Sequence, residues 1–137
     1  MSEARQSFID EFLASDRLGA LVGARFVSLT AEECRYEYDA TEGHFNPGKT
    51  LHGGALFTAM DSSQGMLVYS MLHGSGQRAA TGTATIKYLA PVREERIAIR
   101  TRLTGREGRK LFLLSEAFNA AGKTVAVLDE IWIILAA

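Results

Sequence analysis

The segment Asn46-Pro47-Gly48-Lys49-Thr50-Leu51-His52-Gly53-Gly54, followed by a lone acid at Asp61, holds the residues of this chain best suited to chemistry. Asp61 is the only formally charged side chain between Lys49 and Arg78. Residues 55–72 are otherwise uncharged and rich in small and apolar residues, and Leu56, Ala59, Met60, Ser63 and Leu67 recur at helical spacings of three and four. A carboxylate inside a neutral, buried helix costs desolvation and helix propensity, so an interaction or a task must offset it. Gly53 and Gly54 open the same helix, where backbone N–H groups are unpaired and the dipole favours negative charge. Their missing side chains also let a reacting group approach the backbone closely. An acid that accepts a proton and amides that stabilise a developing oxyanion are the two halves of a hydrolytic site. Two structural explanations compete: an acid paired with an arginine of a neighbouring strand, and His-Gly-Gly as a tight loop-to-helix turn.

One helix cannot bring both halves to one substrate. Gly53 and Asp61 are eight residues apart, which at about 1.5 Å per residue separates them by roughly 12 Å along the axis. An oxyanion donor and a base must both lie within hydrogen-bond reach of one reacting group. Two antiparallel copies related by a two-fold axis satisfy that requirement, and each dimer then holds two sites.

The rest of the chain supplies the elements that must hold this helix. Residues 3–16 place Phe8, Ile9, Phe12 and Leu13 at helical spacing and predict a short amphipathic helix. Residues 20–29 and 33–40 read as strands joined near Thr30-Ala31-Glu32, the second with Cys34, Tyr36 and Tyr38 on one face. A loop over 41–51 leads into the long helix, which stops at His73-Gly74-Ser75-Gly76. Strands follow at 79–90, 96–104, 110–120 and 123–135, with turns at Gly105-Arg106-Glu107-Gly108 and Asn119-Ala120-Ala121-Gly122. The expected fold is α+β: an antiparallel meander of five to six strands curved around the long central helix. That helix is apolar or small nearly all round, so a single sheet covers it only in part and a partner subunit is expected.

At 137 residues the chain is expected to form one domain over 1–137. Apolar residues are 47% and charged residues 23% of it, and the net charge of −1 gives no global attraction to nucleic acid or an anionic membrane. The single cysteine, Cys34, excludes an internal disulfide and a multi-cysteine metal site and fits a reducing cytoplasm. Charges among residues 3–11 argue against a signal peptide, and no apolar run approaches the ~18 residues of a membrane span.

The pattern Asn46-x-x-Gly48-x-x-His52-Gly53-Gly54 with Asp61, together with Thr81 and the stretch Ile86-Lys87-Tyr88-Leu89-Ala90-Pro91, resembles the hotdog-fold acyl-CoA thioesterases of the phenylacetic-acid-degradation (PaaI) type. The likeness in element order extends along nearly the whole chain. It implies a sheet wrapped around a central helix, edge-to-edge dimers, and a further pairing into tetramers. It also implies hydrolysis of acyl-CoA without metal or organic cofactor. Asp61 then matches the general base or nucleophile, Gly53 the oxyanion donor, Asn46 the amide that positions the thioester, and Thr81 the hydroxyl that orients water.

His52 is read as an orienting residue, since no nucleophile elbow or second acid frames any histidine here. Gly54 and Phe45 are expected to border the substrate. Residues 93–110 carry seven basic and three acidic side chains, an excess of four positive charges. Arg93 and Arg96, beside Pro91, are the candidates for coenzyme A phosphates; the competing reading is a solvated outer sheet face. His44-Phe45 leaves a hotdog dehydratase or hydratase as an alternative, and a non-enzymatic acyl-CoA-binding protein is another. Packing of Phe45, Phe57, Met60, Met66 and Tyr69 would decide between aromatic and medium-chain acyl groups.

Overall fold

The computed structural model describes residues 2–135. Two short helices, α1 (Glu3–Ser15) and α2 (Arg17–Val22), precede strands β1 (Ala24–Leu29) and β2 (Glu33–Asp39). A 3-10 turn at Glu42–His44 leads to the long helix α3 (Gly53–Leu72), followed by β3 (Arg78–Tyr88), β4 (Arg96–Glu107), β5 (Lys110–Phe118) and β6 (Thr124–Leu135). All strand pairs are antiparallel, in the order β1-β2-β4-β5-β6-β3. The sheet curves around α3, which touches all six strands. No described helix is long and apolar enough to cross a membrane.

Three local expectations change. The start of the strand read at 20–29 is helical: Asp16 Oδ1 accepts the Gly19 N–H at 3.1 Å, capping α2, and Gly23 ends it at φ 84°. β4 continues beyond residue 104 to Glu107, because a register shift between Leu103 and Gly105 absorbs the glycine and Glu107 still pairs with Lys110. The sheet is also not a simple meander. Helix α3 carries the chain across the concave face, so β3 joins the far edge beside β6 and β2 meets β4.

Alternation puts Cys34, Tyr36 and Tyr38, then Ile97, Ile99 and Thr101, against α3, all buried. The opposite face carries cross-strand ion pairs, Arg25–Asp39 at 2.8 Å, Arg96–Asp39 at 2.9 Å and Arg100–Glu33 at 2.7 Å. Arg96 and Arg25 hold the Asp39 carboxyl down at about 2. These pairs are solvent-exposed and add little to stability.

A polar cross-link ties α3 to the sheet. Gln64 is fully buried; its Nε2 donates to Ser115 Oγ at 3.0 Å and to the Leu128 carbonyl at 3.2 Å. Its Oε1 accepts the Trp132 indole N–H at 3.0 Å. Ser115 Oγ lies 2.7 Å from Thr101 Oγ1 and 3.3 Å from the Met60 carbonyl. Every atom of the amide is used, so Gln64→Ala leaves buried donors and acceptors unmatched. Chemical denaturation should show a loss of about 1–3 kcal/mol for this variant. An unchanged unfolding midpoint would contradict that role.

Candidate active site

The first group of candidates lies at the start of α3. His52 is the N-cap: its Nδ1 accepts the Gly54 N–H at 3.0 Å and its carbonyl accepts from Ala55. Its own N–H donates to the His44 carbonyl at 2.8 Å. Thus His52 orients the loop-to-helix junction, and the Gly54 amide is already engaged. Among the described residues the Gly53 N–H donates to no group, which leaves it as the free donor of the helix terminus.

Asn46 closes its own loop. Its Oδ1 accepts the Thr50 N–H at 3.3 Å, and its Nδ2 donates to Thr50 Oγ1 at 3.2 Å. Lys49 adopts φ 64° within that tight turn. Phe45 bridges to Leu51 and packs on the core, while the Leu51 N–H donates to the Val92 carbonyl at 2.7 Å. A cleft of about 430 Å³ opens here, lined by Asn46, Thr50, Gly53, Leu56, Tyr88 and Pro91.

Tyr88 is a site residue that the sequence reading did not single out. Its hydroxyl donates to the Gly53 carbonyl at 2.7 Å, and a Cβ on Gly53 would stand 2.7 Å from the ring. The space beside the glycine is therefore filled by Tyr88 of the same chain rather than left open to an incoming acyl group.

The second group lies halfway along α3. Asp61 is half-buried, and its neighbour is another acid, not the arginine of the structural explanation. Glu130 of β6 is 2% exposed and sits within hydrogen-bonding reach of Asp61. Thr81 Oγ1 donates to Glu130 Oε1 at 3.1 Å. Burial, and then the neighbouring Asp61, push Glu130 up to about 8. Burial also raises Asp61, an effect moderated by its hydrogen bond with Glu130. The hydrogen bond between the two raises Glu130 and lowers Asp61, so a proton shared by the pair sits on Glu130 in preference to Asp61. A pocket of about 230 Å³ reaches Asp61 between Phe12, Asp16, Gly65, Tyr69 and Trp132.

One chain thus gathers Asn46 with Gly53 in one cleft and Asp61 with Thr81 and Glu130 in another place, and does not bring the two groups together. Arg93 is exposed and directly follows Val92, the last residue in sequence to line the first cleft, whereas Arg96 is engaged by Asp39 on the outer face. His44 Nδ1 lies 3.1 Å from Thr41 Oγ1 and its ring 5.2 Å from Tyr38, so it closes the 3-10 turn. Glu130 was also missed from the sequence. The signal was available: Leu128, Glu130, Trp132 and Ile134 alternate onto one face, which places an acid among apolar residues.

Among solved structures, the E. coli PaaI protein from the phenylacetic acid degradation operon is 18% identical with TM-score 0.85, over 96% of this chain and 94% of its own. A conserved protein of Pseudomonas aeruginosa is 27% identical with TM-score 0.78, over 87% and 94% of the two chains. A hypothetical thioesterase of Streptococcus pneumoniae, solved with coenzyme A, is 18% identical with TM-score 0.80, over 93% and 97%. No curated protein matches the sequence. The model of the Thioesterase superfamily matches residues 48–126, from the loop that carries His52 and Gly53 through Asp61 and Thr81 into β6. With this match the chain belongs to the Thioesterase superfamily, and its sheet wrapped around a central helix is the hotdog fold that it shares with PaaI.

Proposed function

We propose that the protein hydrolyses acyl-CoA thioesters at a site shared by two copies of the chain. The observation that carries this reading is the pairing of a half-buried mid-helix carboxyl group, Asp61, with a free Gly53 N–H at the helix start, too far apart to serve one thioester within one chain. The unpaired edge of β3, an eleven-residue strand bonded only to β6 among the described residues, offers the surface for an edge-to-edge homodimer. Further pairing would give a tetramer. The coenzyme A bound to the Streptococcus pneumoniae neighbour supports a CoA ester as substrate, and the exposed Arg93 is the proposed contact for its phosphates. The lone Cys34 thiol, buried and pushed up to about 12, is inert and suits a cytoplasmic setting.

In this mechanism Asp61 takes a proton from water as the water oxygen attacks the thioester carbon. The carbonyl oxygen becomes an oxyanion held by Gly53 N–H of the other protomer, beside Asn46. The tetrahedral species then expels the thiolate, which recovers the proton from Asp61. Attack by Asp61 itself would instead form a mixed anhydride that water cleaves; both routes need the carboxylate.

The test is thiol release across short-chain, long-chain and aryl acyl-CoAs. At least one should yield free coenzyme A, at a rate that a chelator leaves unchanged. Binding without thiol release would replace this reading with an acyl-CoA-binding protein. A change in a double bond without thiol release would replace it with a hydratase.

A further inference from the structure

Glu130 Oε1 accepts from Thr81, but Oε2 is fully buried and meets no donor among the described residues. A buried carboxylate oxygen without a donor is strongly disfavoured, whereas a protonated one is itself a donor and needs an acceptor. The acceptor within reach is Asp61. The Trp132 indole N–H makes its hydrogen bond to Gln64 Oε1 at 3.0 Å; its lowering effect on Glu130 is the smallest of the influences there, and Oε2 keeps no donor within hydrogen-bond geometry among the described residues. The other charged group facing this pair is Asp16, from the junction of α1 and α2, which adds only negative charge. We infer that Glu130 is a positioning residue, a neutral acid whose O–H holds one oxygen of Asp61 and leaves the other free to face the substrate pocket.

This inference rests on Asp61 being the catalytic carboxylate. Thr81 then acts through Glu130: by donating to Oε1 it directs the proton to the opposite oxygen. The burial that makes Glu130 a donor also fixes the pH range over which the arrangement lasts. Glu130 keeps its proton up to about 8 and donates below that point; above it the pair carries two negative charges and Asp61 loses its anchor. The raised value also has a sign for stability. The folded state holds a proton that the unfolded chain releases near the ordinary glutamate value. Stability therefore falls as pH rises from about 4.5 to about 8.

Glu130→Gln and Glu130→Ala separate positioning from packing. A glutamine still accepts from Thr81 and donates to Asp61, but it does not titrate. Glu130→Ala should lose about tenfold to a hundredfold in kcat, the scale of a hydrogen bond to a charged group, with KM little changed. Glu130→Gln should recover most of that loss and abolish the alkaline fall in rate near pH 8. Equal losses in both variants, or an alkaline limb that persists in Glu130→Gln, would overturn the inference. A 13C NMR titration of the glutamate carboxyls gives a reading independent of turnover and of whether the alanine variant folds. In the wild type the Glu130 signal should titrate near pH 8, and in Asp61→Asn at lower pH, still above the ordinary range because burial remains. A Glu130 that titrates near 4.5 in an active thioesterase would refute the positioning role alone. Titration near 8 in a protein that releases no thiol would instead count against the thioesterase reading.

Discussion

Asp61→Asn should reduce thioester turnover by roughly 10²–10⁴-fold, the usual effect of removing a general base. The amide is nearly isosteric and still accepts a hydrogen bond from Glu130, so the fold should survive and only the proton acceptor is lost. Removing a half-buried charge that faces Glu130 and Asp16 should not lower the unfolding midpoint. In the wild type, burial raises the Asp61 pKa, and the base works only when ionised. The rate should therefore fall as pH drops through that raised value, and this acid limb should vanish from the residual activity of the variant. Turnover close to wild type in Asp61→Asn would contradict the mechanism.

The helix around Asp61 was legible because it is a local pattern. Leu56, Ala59, Met60, Ser63 and Leu67 sit at helical spacings, and all five are buried. The inward faces of β2 and β4 were equally plain, since alternation alone puts Tyr36, Tyr38, Ile97 and Ile99 inside. What local pattern could not supply was strand order. Nothing in residues 78–88 says that β3 crosses to pair with β6, and that pairing is what brings Thr81 to Glu130. The helix at Arg17–Val22 was missed for a related reason. Leu18, Leu21 and Val22 lack a strong helical stripe, and Leu18 and Leu21 remain exposed, so only the caps at Asp16 and Gly23 define it.

The candidate site was half legible for the same physical reasons. Asp61 announces itself as a lone charge in a neutral helix, and the freedom of the Gly53 N–H follows from its place at the helix start. The interactions that distinguish Gly53 from Gly54 are tertiary or depend on a side-chain rotamer. His52 turns its Nδ1 onto the Gly54 amide, and Tyr88, thirty-five residues further on, covers the face of Gly53. A charge count likewise could not separate Arg96 from Arg93. Cross-strand register decides it, because Asp39 faces Arg96 in the β2–β4 pair.

Mixing two dead proteins should produce a live one. Asn46→Ala removes a group from the cleft at the helix start, and Asp61→Ala removes the base, so each homodimer lacks an essential part in both of its sites. In a heterodimer the lesions redistribute. One site combines the altered Asn46 end of one protomer with the altered Asp61 of its partner, while the other site receives neither change. Denaturing and refolding an equal mixture makes roughly half of the dimers mixed, each with one intact site of two, so activity should approach about a quarter of wild type. Separate refolding of each parent controls for recovery, and mass spectrometry of the native protein verifies the heterodimers. Thiol release at about that level would establish that the Gly53 end of one chain serves the Asp61 of another. Verified heterodimers as inactive as their parents would contradict the shared site.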